Sequence, residues 1–85
     1  MAKIHVQIYS RPNCHLCEEA KAVIEQAQTE VAFTLEEINI DDDPELRARY
    51  TNDVPVIFIN GRKAFKHRVE ARRFLKRLRE AERQK

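Results

Sequence analysis

Eighty-five residues, 42% hydrophobic and 35% charged with one Gly and three Pro, fit one small folded domain over residues 1–85 and exclude a disordered chain. No apolar run approaches the ~20 residues that span a bilayer, and Met-Ala-Lys-Ile-His-Val at the N-terminus lacks a signal-peptide core, so a cytoplasmic protein with no membrane partner is expected. The net charge of +2 hides an asymmetry: residues 1–61 carry five Lys/Arg against eleven Asp/Glu, and residues 62–85 carry eleven against three.

In chain order, Ile4, Val6 and Ile8 alternate, which predicts a strand over about Lys3 to Tyr9. Ala20, Val23, Ile24 and Ala27 then recur at three- and four-residue steps, predicting a helix from about Cys14 to Gln28 with Asn13 as its N-cap. A second strand is expected over Phe33 to Ile40, although its apolar phase changes after Leu35. Asp41-Asp42-Asp43-Pro44-Glu45 reads as a helix start, with an Asp cap, Pro at the first helical position and acids in the first turn. That short helix turns Leu46 and Tyr50 inward and ends near Thr51-Asn52. Val56 to Ile59 is a continuous apolar run, as in a strand covered on both faces. Asn60-Gly61 marks a tight hairpin, and Arg62 to Phe65 returns as an edge strand whose charges discourage aggregation. A last helix is expected over Val69 to Arg83, with Ala71, Phe74, Leu75 and Leu78 as its inner stripe.

The only cysteines, Cys14 and Cys17, stand between the first strand and the first helix. The loop they would close is too short to constrain the unfolded chain, so in a reducing compartment the pair reads as catalytic or metal-binding. Unpaired N–H groups at a helix start favour an anion, and they lower a cysteine thiol from about 8.5 to roughly 3.5–7.5. Thiolate is the reactive form, so position and spacing point to a redox dithiol.

Several segments carry a family resemblance: Tyr9-Ser10-Arg11-Pro12-Asn13-Cys14-His15-Leu16-Cys17-Glu18-Glu19-Ala20, Asp42 to Leu46 with Tyr50, Val54-Pro55-Val56, and Asn60-Gly61. With them the chain resembles the thioredoxin superfamily, and within it the glutaredoxins and a small bacterial glutaredoxin-like group of unknown function. The resemblance implies an α/β thioredoxin fold of order β-α-β-α-β-β-α. Its four-stranded mixed sheet has helices on both faces, and its first β-α-β is a right-handed parallel crossover. It implies that Cys14 is the exposed nucleophile of a thiol–disulfide oxidoreductase and Cys17 the resolving thiol. Pro55 matches a cis-proline facing the dithiol, and Val54 would offer its backbone to an extended substrate. Arg11 matches a basic position that assists thiolate and glutathione binding, while His15 replaces a proline and tunes the thiolate. No metal or organic cofactor is expected, and the partners implied are a disulfide substrate and an external donor, glutathione or thioredoxin reductase with NADPH. Glutaredoxins carry Gly-Gly-x-Asp at the start of the last helix, whereas this chain has Phe65-Lys66-His67-Arg68, a departure that weighs against glutathione. A monomer is expected.

Two other readings compete. The basic last helix, with Arg68, Arg72, Arg73, Lys76, Arg77, Arg79, Arg83 and Lys85, could serve a binding module for an acidic protein or a nucleic acid. It has no interleaved exposed aromatics, which disfavours nucleic acid. The cysteines with His5, His15 or His67 could bind metal, but structural zinc wants four ligands and no second close pair is present.

Overall fold

The computed structural model describes residues 4–83; the expected strand start at Lys3 and the basic residue Lys85 lie outside the described residues. The elements are β1 (His5–Ser10), α1 (His15–Ala27), β2 (Thr34–Asn39), a 3-10 turn at Ile40–Asp42, α2 (Pro44–Tyr50), β3 (Val56–Ile59), β4 (Arg62–Lys66) and α3 (Ala71–Arg83). They form one mixed sheet of order β2-β1-β3-β4, with β1 parallel to β2 and the other pairs antiparallel. The expected order and sheet type are both present.

Strand alternation sorts side chains onto two faces. Val6 and Ile8 of β1 stand beside Ile59 and Ile57 of β3, and all four pack with Ala20 and Ile24 of α1 and Phe74 and Leu78 of α3. Each aliphatic side chain removed from water there contributes about 1.5–3 kcal/mol. On the opposite face Tyr9 and Phe58 meet Tyr50 of α2, with Tyr9 at ring-centroid distances of 5.2 Å from both partners. The change of phase in β2 is real: Leu35 lies opposite Val6 and packs on the core, whereas Ile38 lies opposite Tyr9 on the α2 side.

Turn and cap chemistry explains the connections. Asp43 Oδ1 accepts from Glu45 N at 2.9 Å, and Pro44 begins α2. Asn60 and Gly61 have φ of 51° and 81°, the positive pair a tight hairpin requires. A register shift between Ile57 and Phe58 leaves Ala64 as the extra residue of β4.

One expectation needs refinement and two need correction. Leu46 and Tyr50 do face inward, but α2 buries no residue fully, because it covers the sheet through aromatic edges rather than an aliphatic stripe. α3 begins at Ala71 rather than Val69, since His67 is left-handed and the helical ladder opens with Phe74 N bonding Glu70 O at 2.9 Å. Its buried stripe is Phe74, Leu78 and Ala81, with Leu75 half-buried and Ala71 exposed. Among the described residues no helix is long and apolar enough to cross a membrane.

Candidate active site

β1 delivers the chain to Ser10, and the loop then reverses through Asn13, whose φ is 60°. That conformation is left-handed, which asparagine tolerates better than most residues, and it is incompatible with the extended backbone of an N-cap. Asn13 is therefore not the cap. Cys14 is, with φ −104° and ψ 107°, and its Sγ accepts the N–H of Cys17 at 3.2 Å. An unpaired donor of the first turn, which a Ser or Asp would normally satisfy, points here at sulfur. A sulfur in that position gains most when it carries negative charge.

Cys14 and Cys17 have Cα atoms 5.2 Å apart and their sulfurs at disulfide distance. They differ in access: Cys14 is half-buried, whereas Cys17 is 5% exposed on the inner face of α1. Both line a cleft of about 220 Å³ together with Arg11, Glu18, Lys21 and Glu37. Arg11 Nε lies 3.3 Å from Asp41 Oδ1, an ion contact without hydrogen-bond alignment, so that buried oxygen has no hydrogen-bond donor among the described residues.

The Lys21–Glu37 pair is the part of the cleft that sequence reasoning missed. Lys21 Nζ donates to Glu37 Oε1 at 3.0 Å, and this bond, with the Glu37 charge, pushes the Lys21 ammonium above its usual 10.5. Only half of the signal was in the sequence. Lys21 follows Cys17 by four residues and so shares its helix face, but Glu37 arrives through the β1–β2 register, where it sits opposite Ile8.

The other expected site residues are distributed around this cleft. His15 projects into solvent and its Nε2 sits 2.8 Å from Glu19 Oε2, so a charge forming on the imidazole is offset by a carboxylate. The Val54–Pro55 peptide bond is cis, Pro55 is buried and Val54 half-buried. Because Tyr9 pairs with Val56, the antiparallel β1–β3 register puts Pro55 at the sheet end from which the cysteine loop leaves. His67, in the segment that departs from Gly-Gly-x-Asp, has φ 70°, a conformation glycine adopts without cost. Its N–H donates to Pro55 O at 2.8 Å and its Nε2 lies 3.1 Å from Asn52 O, which ties the start of α3 to the loop before β3.

None of the three histidines joins the cysteines. His5 contacts Thr34 and Glu36, His15 contacts Glu19, and His67 contacts Asn52. Among the described residues no three His, Cys, Asp or Glu side chains converge as a metal-ligand group.

Comparison with known proteins agrees with this geometry. The profile described as "Glutaredoxin-like domain (DUF836)" matches residues 5–79. A glutaredoxin-like protein of Dictyostelium discoideum is 38% identical over 73 residues, which cover 79% of this chain and 68% of that one. A thioredoxin of Methanocaldococcus jannaschii is 34% identical over 64 residues, covering 72% and 75% respectively. Among solved structures, a protein of Nitrosomonas europaea superposes with a TM-score of 0.78 at 30% identity, covering 92% of this chain and 94% of that one. A structural-genomics target from X. campestris gives 0.75 at 32% identity, covering 88% and 96%. A chloroplastic thioredoxin z gives 0.77 at 16% identity, covering 94% and 79%, a likeness of fold alone. With a thioredoxin fold, a Cys-x-x-Cys pair at its first helix and a profile match over most of its length, this chain belongs to the glutaredoxin-like (DUF836) family.

Proposed function

We propose that the protein is a thiol–disulfide oxidoreductase that cycles between a Cys14–Cys17 disulfide and the dithiol. The observation that carries this reading is the Cys17 N–H directed at Cys14 Sγ at 3.2 Å. It supplies the charge stabilisation a thiolate nucleophile needs, at the more accessible of the two sulfurs.

In the reducing direction the Cys14 thiolate attacks one sulfur of a substrate disulfide. A mixed S–S bond forms as the substrate bond breaks, and the departing thiolate takes a proton from water. Cys17, deprotonated in turn, attacks Cys14 Sγ, re-forms the internal disulfide and releases the second substrate thiol. The protein gives up two electrons and two protons, and the substrate takes both. The unequal burial of the cysteines supports this order, since a bulky disulfide reaches Cys14 before Cys17. Val54 and the cis Pro55 are assigned to align an extended substrate segment at the cleft mouth. Arg11 and His15 are assigned to contact polar substrate groups there, Arg11 beside Asp41 and His15 beside Glu19. The cycle needs no bound metal or organic cofactor, only an external reductant, and it suits a reducing compartment such as the cytoplasm. Glutathione is the less favoured donor, because Phe65, Lys66 and Arg68 stand where the glutaredoxin pattern has its two glycines and an acid.

The test is single-turnover reaction of the pre-reduced protein with hydroxyethyl disulfide, followed by NADPH-coupled turnover. One coupled supply is glutathione with glutathione reductase, and the other is thioredoxin reductase. Loss of two protein thiols per chain with formation of the Cys14–Cys17 disulfide is expected. Retention of both thiols would overturn the reading, while the two supplies identify the donor.

A further inference from the structure

α1 and α3 lie side by side on one face of the sheet, and a trough follows the seam between them. At the dithiol end it is lined by Leu16, Val23 and Val69 with Arg68 and the acids Glu19 and Glu70, and encloses about 350 Å³. Leu16 lies between the two cysteines in sequence. Val23 is shared with the next stretch, an apolar hollow of about 250 Å³ formed with Ala22, Ala27, Ala71 and Leu75. Leu75 is in turn shared with a third stretch of about 410 Å³, walled by Arg72, Lys76, Arg79 and Arg83. The three stretches thus succeed one another from beside Leu16 to the far end of α3, meeting at Val23 and at Leu75.

The trough's cationic excess lies along α3 in the far stretch, where Arg72, Lys76, Arg79 and Arg83 stand against Glu80. Glu19 faces His15, Glu70 faces Arg73, Glu80 faces Arg77 and Glu30 faces Arg79. Arg68, Arg72, Lys76 and Arg83 have no ion-pair partner among the described residues. Residues 72, 76, 79 and 83 step by four, three and four and so form one ridge over the ~20 Å length of a 13-residue helix, with Arg72, Lys76 and Arg83 as its unpaired cations and Arg79 shared with Glu30. Beside that ridge run the half-buried Val23 and Leu75 and the exposed Ala71. A basic ridge bordering an apolar floor complements an amphipathic helix with acids along one side and aliphatic residues on the other. A nucleic-acid backbone would match the ridge and leave the apolar floor without a partner.

We propose that this trough docks an acidic amphipathic helix of the protein whose disulfide is reduced, and so selects acidic protein substrates. This proposal rests on the oxidoreductase reading for its purpose, but its binding step is independent of any redox chemistry. Docking along α3 brings the partner within reach of Leu16 and hence of the cysteine loop. Turnover of a small disulfide makes no use of the trough.

The experiment is equilibrium binding of a labelled, cysteine-free helical peptide of about 15 residues, long enough to hold helical structure, built from Glu and Leu in an amphipathic pattern. A twin with Gln for Glu and a short DNA duplex are the other arms, and all are titrated into the oxidised wild-type protein. The acidic peptide is expected to bind more tightly than both. Arg72→Glu with Lys76→Glu should weaken it by about tenfold, and salt at about 1 M, where the screening length falls to about 3 Å, should do the same. Arg72→Lys with the rest intact should retain binding, which separates charge from folding. Equal binding of acidic peptide and Gln twin, or an unaffected double variant, would overturn the proposal. Tighter binding of DNA, or self-association abolished by the double variant, would overturn it by giving the trough another occupant. Hydroxyethyl disulfide turnover is measured on the same samples. Its loss with peptide binding intact strikes the redox reading alone, and the reverse strikes only the docking.

Discussion

α1 and α3 are the same length, 13 residues each, and rest against the same sheet face, yet they are specialised in opposite ways. α1 is specialised at its end. Its buried face is mostly small, with Cys17, Ala20, Ile24 and Ala27, and its first turn holds both sulfurs. α3 is specialised along its side. It buries the larger Phe74 and Leu78 and turns a cationic ridge outward. The difference matches the two tasks proposed for this chain. Reactivity depends on the few N–H groups at a helix start, a point feature, whereas recognition of another helix needs a line of side chains. Under the proposed function the two helices, placed side by side, divide these tasks between them.

The sharpest way to break this contrast is at the end of α1. Cys14→Ser should abolish disulfide reduction, and Cys17→Ser should accumulate a mixed disulfide visible as a mass increase. Turnover surviving in Cys14→Ser would mean that the end of α1 is not the reactive point. Next in size is the packing of α3. Phe74→Ala, at a fully buried site, should cost about 3–5 kcal/mol in urea unfolding. A loss below about 1 kcal/mol would show that α3 is laid on the sheet rather than keyed into it.

The converse holds for the outer side of α3. Arg72→Glu with Lys76→Glu should change stability by no more than about 0.5 kcal/mol per site, and should leave hydroxyethyl disulfide turnover unchanged. A slower small-disulfide rate would mean that the ridge acts on chemistry and not on docking. The smallest effect concerns Lys21 and Glu37 in the cleft. The Lys21 ammonium titrates above its usual 10.5 in the folded protein, chiefly through its hydrogen bond to Glu37. It therefore contributes stability that is fully present below that pH and lost as pH rises through the folded value. Glu37→Gln should lower neutral stability slightly and flatten the alkaline side of the profile above about pH 10 by the same small amount, because both groups are substantially solvated. A profile identical to wild type would remove the pair from the cleft's electrostatics.

Much of this could be read from the chain. Alternation in Ile4, Val6 and Ile8, the helical spacing of Ala20, Ile24 and Ala27, the Asp43-Pro44 start of α2 and the Asn60-Gly61 turn are local signals. Each reflects backbone geometry over a few residues, so each specified its element wherever that element was to lie. The dithiol's place between β1 and α1 was legible for the same reason. The tertiary structure decided what depends on neighbours far along the chain. Asn13 yields the cap to Cys14 because the loop from β1 must reverse in a left-handed conformation. Glu37 enters the cleft because β2 pairs with β1 in one register rather than another. His67 anchors the segment around Pro55 because β3 and β4 bring residues 52 to 55 beside it. The trough exists because Val23 and Leu75, 52 positions apart in sequence, meet where two helices pack on one sheet face. Local propensity sets the elements, but register and helix packing choose which side chains share a site, and no short window of sequence contains both partners.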